Sequence, residues 1–510
     1  MELKLQKAEH DYYEKISFDP FPCETMRENI VPDSCGDIAR IVDTTGVVCL
    51  TGRELTGDGR FCASGSVEAS VLYIPEKEEG LRSLHFQIPF QCYGEGQGDA
   101  SCENLDIRGE LRSIETRVLN PRKVLTRANL VLYPTLCRHV SLSVCTGMQE
   151  DAGENIQLLR EQKQTRVAAG VREKEFTFSE ELPMSPGRGG AEEILSTRVD
   201  VRGTDSKLIG SKLVVKGFLA ATVLYRETGG RLGILQQELP FSQILEGNGF
   251  DEDCESEAAY RLLSLDCRIG SESAPDDNCT LTLSVSLCTR VTVWKRLEIG
   301  FIADLYSTAA GVTCQTEELE ISEDSQQNVR RQNVRELLET GTAVRSVVDT
   351  SISCGGARLD SGEWKIPIWA RCLYVDESDQ LGSVRREFTA AIPAELESGD
   401  LDCEAEAACH GDVIVNITPE GIELRFPVEC AVTSSRRRRC LCVSGGELEE
   451  ESQSREPAPS LILRKMGEGE TLWAVAKQYR ATREGILSAN ELTDESQITP
   501  DRLLLIPRAR

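Results

Sequence analysis

The stretch GSVEASVLYIPEKEEGLRSLHFQIPFQ, residues 65–91, decides the fold because it recurs in the chain. Residues 217–243 read GFLAATVLYRETGGRLGILQQELPFSQ, and residues 364–393 are a looser copy, WKIPIWARCLYVDESDQLGSVRREFTAAIP. In each copy, small and apolar residues alternate along a first strand that leads to a Leu-Tyr pair. A polar turn then follows, and after it a second strand. Alternation with a period of two on both sides of a polar turn is typical of a β-hairpin.

The tyrosines of these copies, Tyr73, Tyr225 and Tyr374, are about 150 residues apart, which is the size of a domain and not of a solenoid repeat. A β-rich apolar run precedes each tyrosine, and each copy closes on a long apolar strand pair. In residues 413–430, VIVNITPEGIELRFPVEC, a Pro- and Gly-bearing turn separates two alternating runs. The pattern predicts a mainly β chain of three tandem antiparallel β-rich domains.

The predicted boundaries are 1–152, 153–312 and 313–442 for the three β-domains. Helix is expected to be a minority within them, at 155–164 and 329–339, between the copies. After residue 442 the composition changes: VSGGELEEESQSREPAPS, residues 443–460, is acidic and nearly free of aliphatic side chains. Such a segment buries too little apolar surface to fold, so it is predicted to be a flexible linker.

The chain has 510 residues, 40% hydrophobic and 5% aromatic, with a formal net charge of −27. A polyanion of this kind does not seek nucleic acid or an anionic membrane by charge alone. The first residues, MELKLQKAEHDYYEKISFD, contain no apolar core of a signal peptide, and no later apolar run is long enough for a spanning helix. A cytoplasmic location is the expectation.

The 20 cysteines are scattered along the chain. Several, such as Cys49, Cys288 and Cys372, lie in strand-like apolar runs, where a free thiol acts as a small hydrophobe. This distribution predicts mostly reduced and buried cysteines.

No motif for catalysis stands out. The histidines, His10, His85, His139 and His410, lie outside any HExxH pattern, and there is no P-loop. Cys440 and Cys442 form a C-x-C pair without a second cysteine pair, which disfavours a zinc site. The arginine run 436–439 is interpreted as a solvated domain edge or, alternatively, as a docking point for an acidic partner or for the acidic residues 447–456.

Residues 461–510 fit a compact βααβ pattern. Leu472, Val475, Ala476 and Tyr479 fall at helical spacing, and Thr482 is suited to cap a second helix through residue 489. Short apolar runs at 461–463 and 503–506 predict two strands. This small α+β module follows the three β-domains.

The motif Gly469-Glu470-Thr471-Leu472-Trp473 resembles the Gly-Asp/Glu-Thr-Leu-Trp signature of LysM domains, and Asn490 and the final Leu-Ile-Pro also match that family. The resemblance implies that N-acetylglucosamine glycan or a partner binds at two loops. The implied site residues are Gly469, Glu470, Thr471, Leu472, Asn490, Gln497, Ile498, Thr499, Pro500, Asp501 and Arg502. Because the family usually has Gly-Gln where this chain has Asp501-Arg502, the added charge favours a protein surface over a neutral sugar.

The repeats over residues 15–435 resemble the SPOCS domain of spore-coat proteins, and with the LysM they are similar to the clostridial SipL (SpoVID-like) family. The resemblance implies a non-enzymatic scaffold, without cofactor or metal, that recruits coat layers at the forespore surface in the mother-cell cytoplasm. Implied partners are a SpoIVA-like morphogenetic ATPase and other coat proteins, with cortex glycan as a second candidate. The alternatives are a peptidoglycan-binding protein and a LysM-targeted cell-wall or cortex enzyme.

Overall fold

A computed structural model describes residues 2–77, 80–96, 104–149, 155–184, 190–270, 280–395, 401–409, 411–449, 461–500 and 502–507. The described residues form mainly antiparallel strands, and their α-helices lie in the C-terminal module. The predicted mainly β fold class with a small α+β module is therefore confirmed.

The three repeats have the same order of elements: a long strand, a three-stranded meander, a further strand, and a long strand that returns to pair with the first. The first repeat contains β1 (Leu5–Ser17), β2 (Phe21–Ile30), β3 (Ile38–Leu55), β4 (Phe61–Pro75), β5 (Arg82–Gly94), β6 (Leu105–Asn120) and β7 (Lys123–Met148). Here β1 and β2 together correspond to the first long strand, because both pair with β7.

The second repeat contains β8 (Ile156–Pro183), β9 (Ala191–Ile209), β10 (Lys212–Glu227), β11 (Leu232–Glu246), β12 (Glu255–Ile269) and β13 (Thr280–Ser307). The third contains β14 (Val312–Glu339), β15 (Val344–Cys354), β16 (Arg358–Asp360), β17 (Glu363–Asp376), β18 (Leu381–Pro393), β19 (Leu401–Ala408), β20 (Ile414–Thr418) and β21 (Gly421–Leu448). In each repeat the meander packs on the sheet of the long strands and encloses an apolar core, so each repeat is a β-sandwich.

The prediction of helices at 155–164 and 329–339 was wrong. The first segment lies in β8, which pairs with β13 along its whole length, and the second lies in β14, which pairs in the same way with β21. Along such a continuous ladder, the long partner strand bonds the N–H and C=O groups of every second residue. These bonds outweigh the weak helix preference of the two segments.

The three tyrosines occupy equivalent places, as the repeat predicts. Each lies on the central strand of its meander, β4, β10 or β17, and is buried. Its neighbours on the two outer strands correspond in the three repeats: Ile41 and Arg82 for Tyr73, Ile194 and Gly233 for Tyr225, and Val347 and Gly382 for Tyr374.

The leucine before each tyrosine joins the repeats to one another. Leu72, Leu224 and Leu373 are fully buried and belong to one apolar cluster with Val42, Leu81 and Leu195. Because neighbouring residues on a strand point to opposite faces, the tyrosine fills the interior of its own repeat while the leucine faces the other two. The three meanders therefore meet at a common centre with approximate threefold character.

Charged side chains from all three repeats lie beside this centre. Arg371 of the third repeat bonds Asp43 of the first, and it bonds Asp349 at 2.6 Å. Arg198 of the second repeat reaches the other oxygen of Asp349 at 2.8 Å. Burial by itself would raise the pKa of Asp349, but Arg198 and Arg371 outweigh it and hold that pKa below its ordinary value.

Beyond the sandwiches, the long strand pairs continue together and form a second packed region, which we call the stalk: residues 4–17 with 135–149, 155–168 with 294–308, and 312–328 with 432–449. Apolar residues from all three pairs interdigitate there, including Val144, Ile299, Phe301, Leu319 and Cys442. The repeats are thus joined both at the apolar centre and along the stalk.

The predicted start of the flexible linker at residue 443 was wrong. Val443 is fully buried in the stalk, and β21 continues to Leu448, because β14 extends far enough to pair with it. Residues 450–460, the rest of the predicted linker, lie outside the described residues.

Fourteen cysteines in the described part of the chain are free, in line with the prediction of mostly reduced thiols. Burial raises the pKa of Cys49 to about 12 and that of Cys288 to about 11, so both remain protonated at neutral pH. Two disulfides form where the meander packs on the sheet of the long strands, which brings Cys23 to Cys92 and Cys354 to Cys409 with Cα separations of 5.8 and 6.3 Å.

Candidate functional site

The C-terminal module folds as the sequence predicts. Its elements are β22 (Leu461–Lys465), α1 (Leu472–Tyr479), α2 (Arg483–Ala489), a 3-10 turn (Glu495–Gln497) and β23 (Leu503–Pro507). Thr471 caps α1 by accepting a hydrogen bond from the Ala474 amide at 3.2 Å, and Thr482 caps α2 in the same way. The two strands pair antiparallel and pack one face on the helices.

The two candidate loops leave the same end of this small sheet. The first loop is residues 466–471 and the second is residues 497–502. The Met466 amide donates to the Arg502 carbonyl at 2.9 Å, which extends the strand pair and sets the loops side by side. Gly469, Glu470 and Thr471 are exposed and Leu472 is buried. The first loop is held by Glu470, whose carboxylate accepts from the Gly467 amide and from the Arg464 guanidinium.

Side chains of the second loop mainly bond within the loop. Gln497 exchanges two hydrogen bonds of 3.1 Å with Thr493, and Arg502 Nη1 donates to the Gln497 carbonyl at 2.9 Å. Thr499 and Pro500 are exposed, and Ile498 is half-buried against the core of the module. Asp501 lies outside the described residues.

Asn490, predicted as a binding residue, has its side-chain amide occupied inside the module. It donates to the carbonyls of Ile486 at 2.7 Å and Leu505 at 2.6 Å, and it accepts from the Leu505 amide at 2.8 Å. These bonds join the end of α2 to β23. These internal bonds give Asn490 a structural role, and its contact with a ligand stays a prediction.

The face of the small sheet that points away from the helices is apolar. Leu461, Leu463 and Leu503 on this face are 52%, 63% and 59% exposed, and Leu505 beside them is half-buried. Because Leu503 directly follows the second loop, this face is continuous with the candidate site. Alternation in the sequence predicted these strands, but it does not tell which of two apolar faces the helices cover.

The module contacts the stalk through residues at the end of β13 that were not predicted from the sequence. The Asp304 carboxylate accepts from Trp473 Nε1 at 2.8 Å and from Lys477 Nζ at 2.6 Å. The Tyr306 hydroxyl donates to the Ala481 carbonyl at 2.6 Å. No local pattern in the sequence marks Asp304 or Tyr306, since their partners are about 170 residues further along the chain.

The arginine run 436–439 pairs within the chain. On β21, Arg439 bonds Glu320 at 2.8 Å and Arg438 bonds Glu323 at 2.8 Å across the ladder to β14, and Arg437 bonds Asp402 at 2.7 Å. The alternative that this run docks an acidic partner therefore loses its main support.

The other residues considered for chemistry have ordinary surroundings. His85 accepts or donates hydrogen bonds with Ser70 at 3.0 Å and Ser83 at 2.9 Å, at the boundary between the first and second repeats. His410 is outside the described residues. Where the chain is described, no group of three or more His, Cys, Asp or Glu side chains is placed to hold a metal ion. Nor does any described helix have the length and apolar character to cross a membrane.

Comparison with known families agrees with this arrangement. Residues 191–270 match the family model described as SipL, SPOCS domain, and residues 467–507 match that of the LysM domain. The first match covers β9 to β12 of the second repeat. No curated protein and no solved structure matches the chain. The chain therefore carries a SipL-type SPOCS domain and a LysM domain, as its resemblance implied, and both families are typically non-catalytic.

Proposed function

We propose that this SipL-like protein is a scaffold of spore-coat assembly, recruited to the forespore surface through its LysM domain in the mother-cell cytoplasm. The observation that carries the proposal is that one chain joins a SPOCS domain to a LysM domain whose candidate loops are open to solvent. A module that sits on a large β-body with its loops exposed is suited to recruit that body to a surface.

The β-body supports the scaffold part of the proposal. The apolar centre at Leu72, Leu224 and Leu373 and the shared stalk make the three sandwiches one unit. Such a unit presents several surfaces at once, so that weak contacts with neighbouring proteins add up in a layer. The net charge of the whole chain, −27, favours partners with basic surfaces.

The surface of the LysM domain favours a protein as its first partner. Leu461, Leu463 and Leu503 expose aliphatic side chains beside the second loop, and aliphatic groups offer no hydrogen bonds to the hydroxyl and acetamido groups of a glycan. Exposed apolar patches are typical of protein interfaces. The partner we propose is a SpoIVA-like morphogenetic ATPase, together with other coat proteins.

The recruitment step is tested in sporulating cells. A fluorescent fusion of the full chain is expected to surround the forespore, and a chain that ends at residue 460 is expected to stay diffuse. Circular dichroism of the purified short chain checks that the β-body is intact. Normal localisation of the short chain would show that the LysM domain does not direct the protein to the forespore surface.

Binding of cortex glycan is the second candidate, and the LysM match itself favours it. The discriminating experiment compares co-sedimentation with purified sacculi and capture by the purified ATPase. Replacing Leu463 and Leu503 together by lysine is expected to lower ATPase capture at least tenfold, because two apolar contacts become charged. Leu441→Lys, an equally exposed leucine on β21, is the matched control. If the wild type binds sacculi tightly and the double variant captures the ATPase normally, the domain is a glycan-binding module.

A further inference from the structure

The LysM domain is not free of the β-body: two residues near the end of β13 hold it. We propose that Asp304 and Tyr306 form a latch that makes the LysM domain a fixed part of the stalk and presents its candidate loops outward in a single orientation. A flexible linker by itself would leave the module free to move, and the latch removes that freedom.

Asp304 is the polar half of the latch. Its two oxygens accept from Lys477 Nζ at 2.6 and 2.8 Å and from Trp473 Nε1 at 2.8 Å. Trp473 and Lys477 are four residues apart in α1 and therefore lie on one face of the helix, which allows one carboxylate to hold both. The carboxylate also accepts from the Leu305 amide at 2.9 Å, which fixes its own orientation.

Tyr306 is the apolar half of the latch. Its ring packs edge-on against Trp473, with 4.8 Å between the ring centroids, and both side chains are buried, at 4% and 8% exposure. The Tyr306 hydroxyl donates a hydrogen bond to the Ala481 carbonyl, in the turn between α1 and α2. Aromatic pairs of this geometry with a satisfied hydroxyl are among the stronger contacts between protein surfaces.

Both latch residues contact Trp473 in α1, the helix that directly follows the first candidate loop. Thr471 caps α1, Leu472 begins it and Trp473 follows, so fixing Trp473 on the stalk also fixes the direction of the loop. Residues 467–471 of the loop stay exposed. Latching therefore orients the candidate site without covering it.

The length of the connection makes such a latch effective. Only residues 450–460 lie between the end of the described stalk and β22 in the chain. A short connection of this kind gives an effective concentration on the order of millimolar, so that even modest contacts keep the domain docked.

The test uses the full chain labelled with 5-fluorotryptophan and observed by fluorine NMR. The signal of Trp473 is assigned from its loss in Trp473→Phe. In the wild type this signal is expected to be broad, because a latched Trp473 tumbles with the 56.3 kDa chain, and to be shielded from a soluble paramagnetic chelate. In Asp304→Asn combined with Tyr306→Phe it is expected to sharpen and to relax at least threefold more with the chelate.

Two further variants separate the latch from general damage. Glu298→Gln, an exposed acidic residue on the same strand, is the matched control and should leave the signal unchanged. Asp304→Lys should release the domain, and Asp304→Lys with Lys477→Glu should restore the broad signal by reversing the ion pair. A sharp and accessible Trp473 in the wild type, or a signal that none of these variants changes, would overturn the proposal. No ligand is needed, so this result is independent of the proposed function.

Discussion

Arg371 and Asp43 form a buried ion pair although 328 residues separate them in the chain. Their side chains are 8% and 1% exposed. Asp349 bonds the same guanidinium, and Arg198 bonds Asp349, so each of the three repeats contributes to one charge network. The repeats are therefore joined as a unit, and not merely placed in series.

Removing the charge of Arg371, at the centre of this network, should lower the free energy of unfolding. Arg371→Leu leaves Asp43 and Asp349 buried without one of their counter-charges, and breaking a buried pair in this way costs about 3–5 kcal/mol. We expect a clearly lower urea midpoint, measured by circular dichroism. Arg268→Leu, which breaks an exposed ion pair with Asp266, should change stability by less than about 1 kcal/mol. Equal midpoints for the two variants would contradict the role of the network.

The network should also make stability depend on acid pH. The pKa values of Asp43 and Asp349 are lowered in the folded chain, because nearby arginines outweigh the effect of burial. A carboxylate of this kind stabilises the fold fully above its unfolded pKa of about 3.9, and that contribution is lost as the pH falls through the folded value.

The matching measurement compares the wild type with Asp349→Asn in urea at neutral pH and at about pH 3, below the unfolded pKa. The wild type should be more stable than Asp349→Asn at neutral pH. The difference between their free energies of unfolding should be smaller at about pH 3. A constant difference at both pH values would mean that Asp349 is not charged in the folded state.

The apolar centre can be tested at equivalent positions. Leu72→Ala, Leu224→Ala and Leu373→Ala should each lower the free energy of unfolding by about 2–5 kcal/mol, because each opens a cavity at a fully buried site. Leu441→Ala, at an exposed site on β21, should have little effect. A large cost at only one of the three leucines would argue against a shared centre.

Asn490 should affect the LysM domain through folding. In Asn490→Ala the amide and the carbonyl of Leu505 lose their side-chain partner, and each unsatisfied group costs about 1–3 kcal/mol. Amide hydrogen exchange in α2 should accelerate strongly, whereas exchange in β10 of the second repeat should not change. If binding is lost while exchange in α2 stays as in the wild type, Asn490 contacts the ligand directly.

Much of the local structure could be predicted from the sequence. The alternation around Tyr73, Tyr225 and Tyr374 predicted the hairpins β4–β5, β10–β11 and β17–β18. The Pro- and Gly-bearing turn in residues 413–430 predicted the β20–β21 hairpin. Thr482 caps the second helix of the LysM domain, as the sequence predicted. Each of these features depends on residues a few positions apart, whose side-chain period and backbone preferences are set locally.

The wrong predictions share a cause. Residues 155–164 and 329–339 were taken as helices and residue 443 as the start of the linker, yet all three places belong to long paired strands. A polar strand is stable there only because a partner strand of equal length lies beside it. That partner is between 82 and 151 residues away in the chain, where no local pattern shows it.

The sequence by itself determined that the chain is mainly β, that one hairpin pattern occurs three times, and that a LysM domain with two helices follows. Only the tertiary structure decided how these parts meet: Leu72 with Leu224 and Leu373, Arg371 with Asp43, and Asp304 with Trp473. The physical reason is that alternation shows that a side chain is buried but not what it is buried against. The choice of partner depends on how complete surfaces, far apart in the chain, fit in shape and charge.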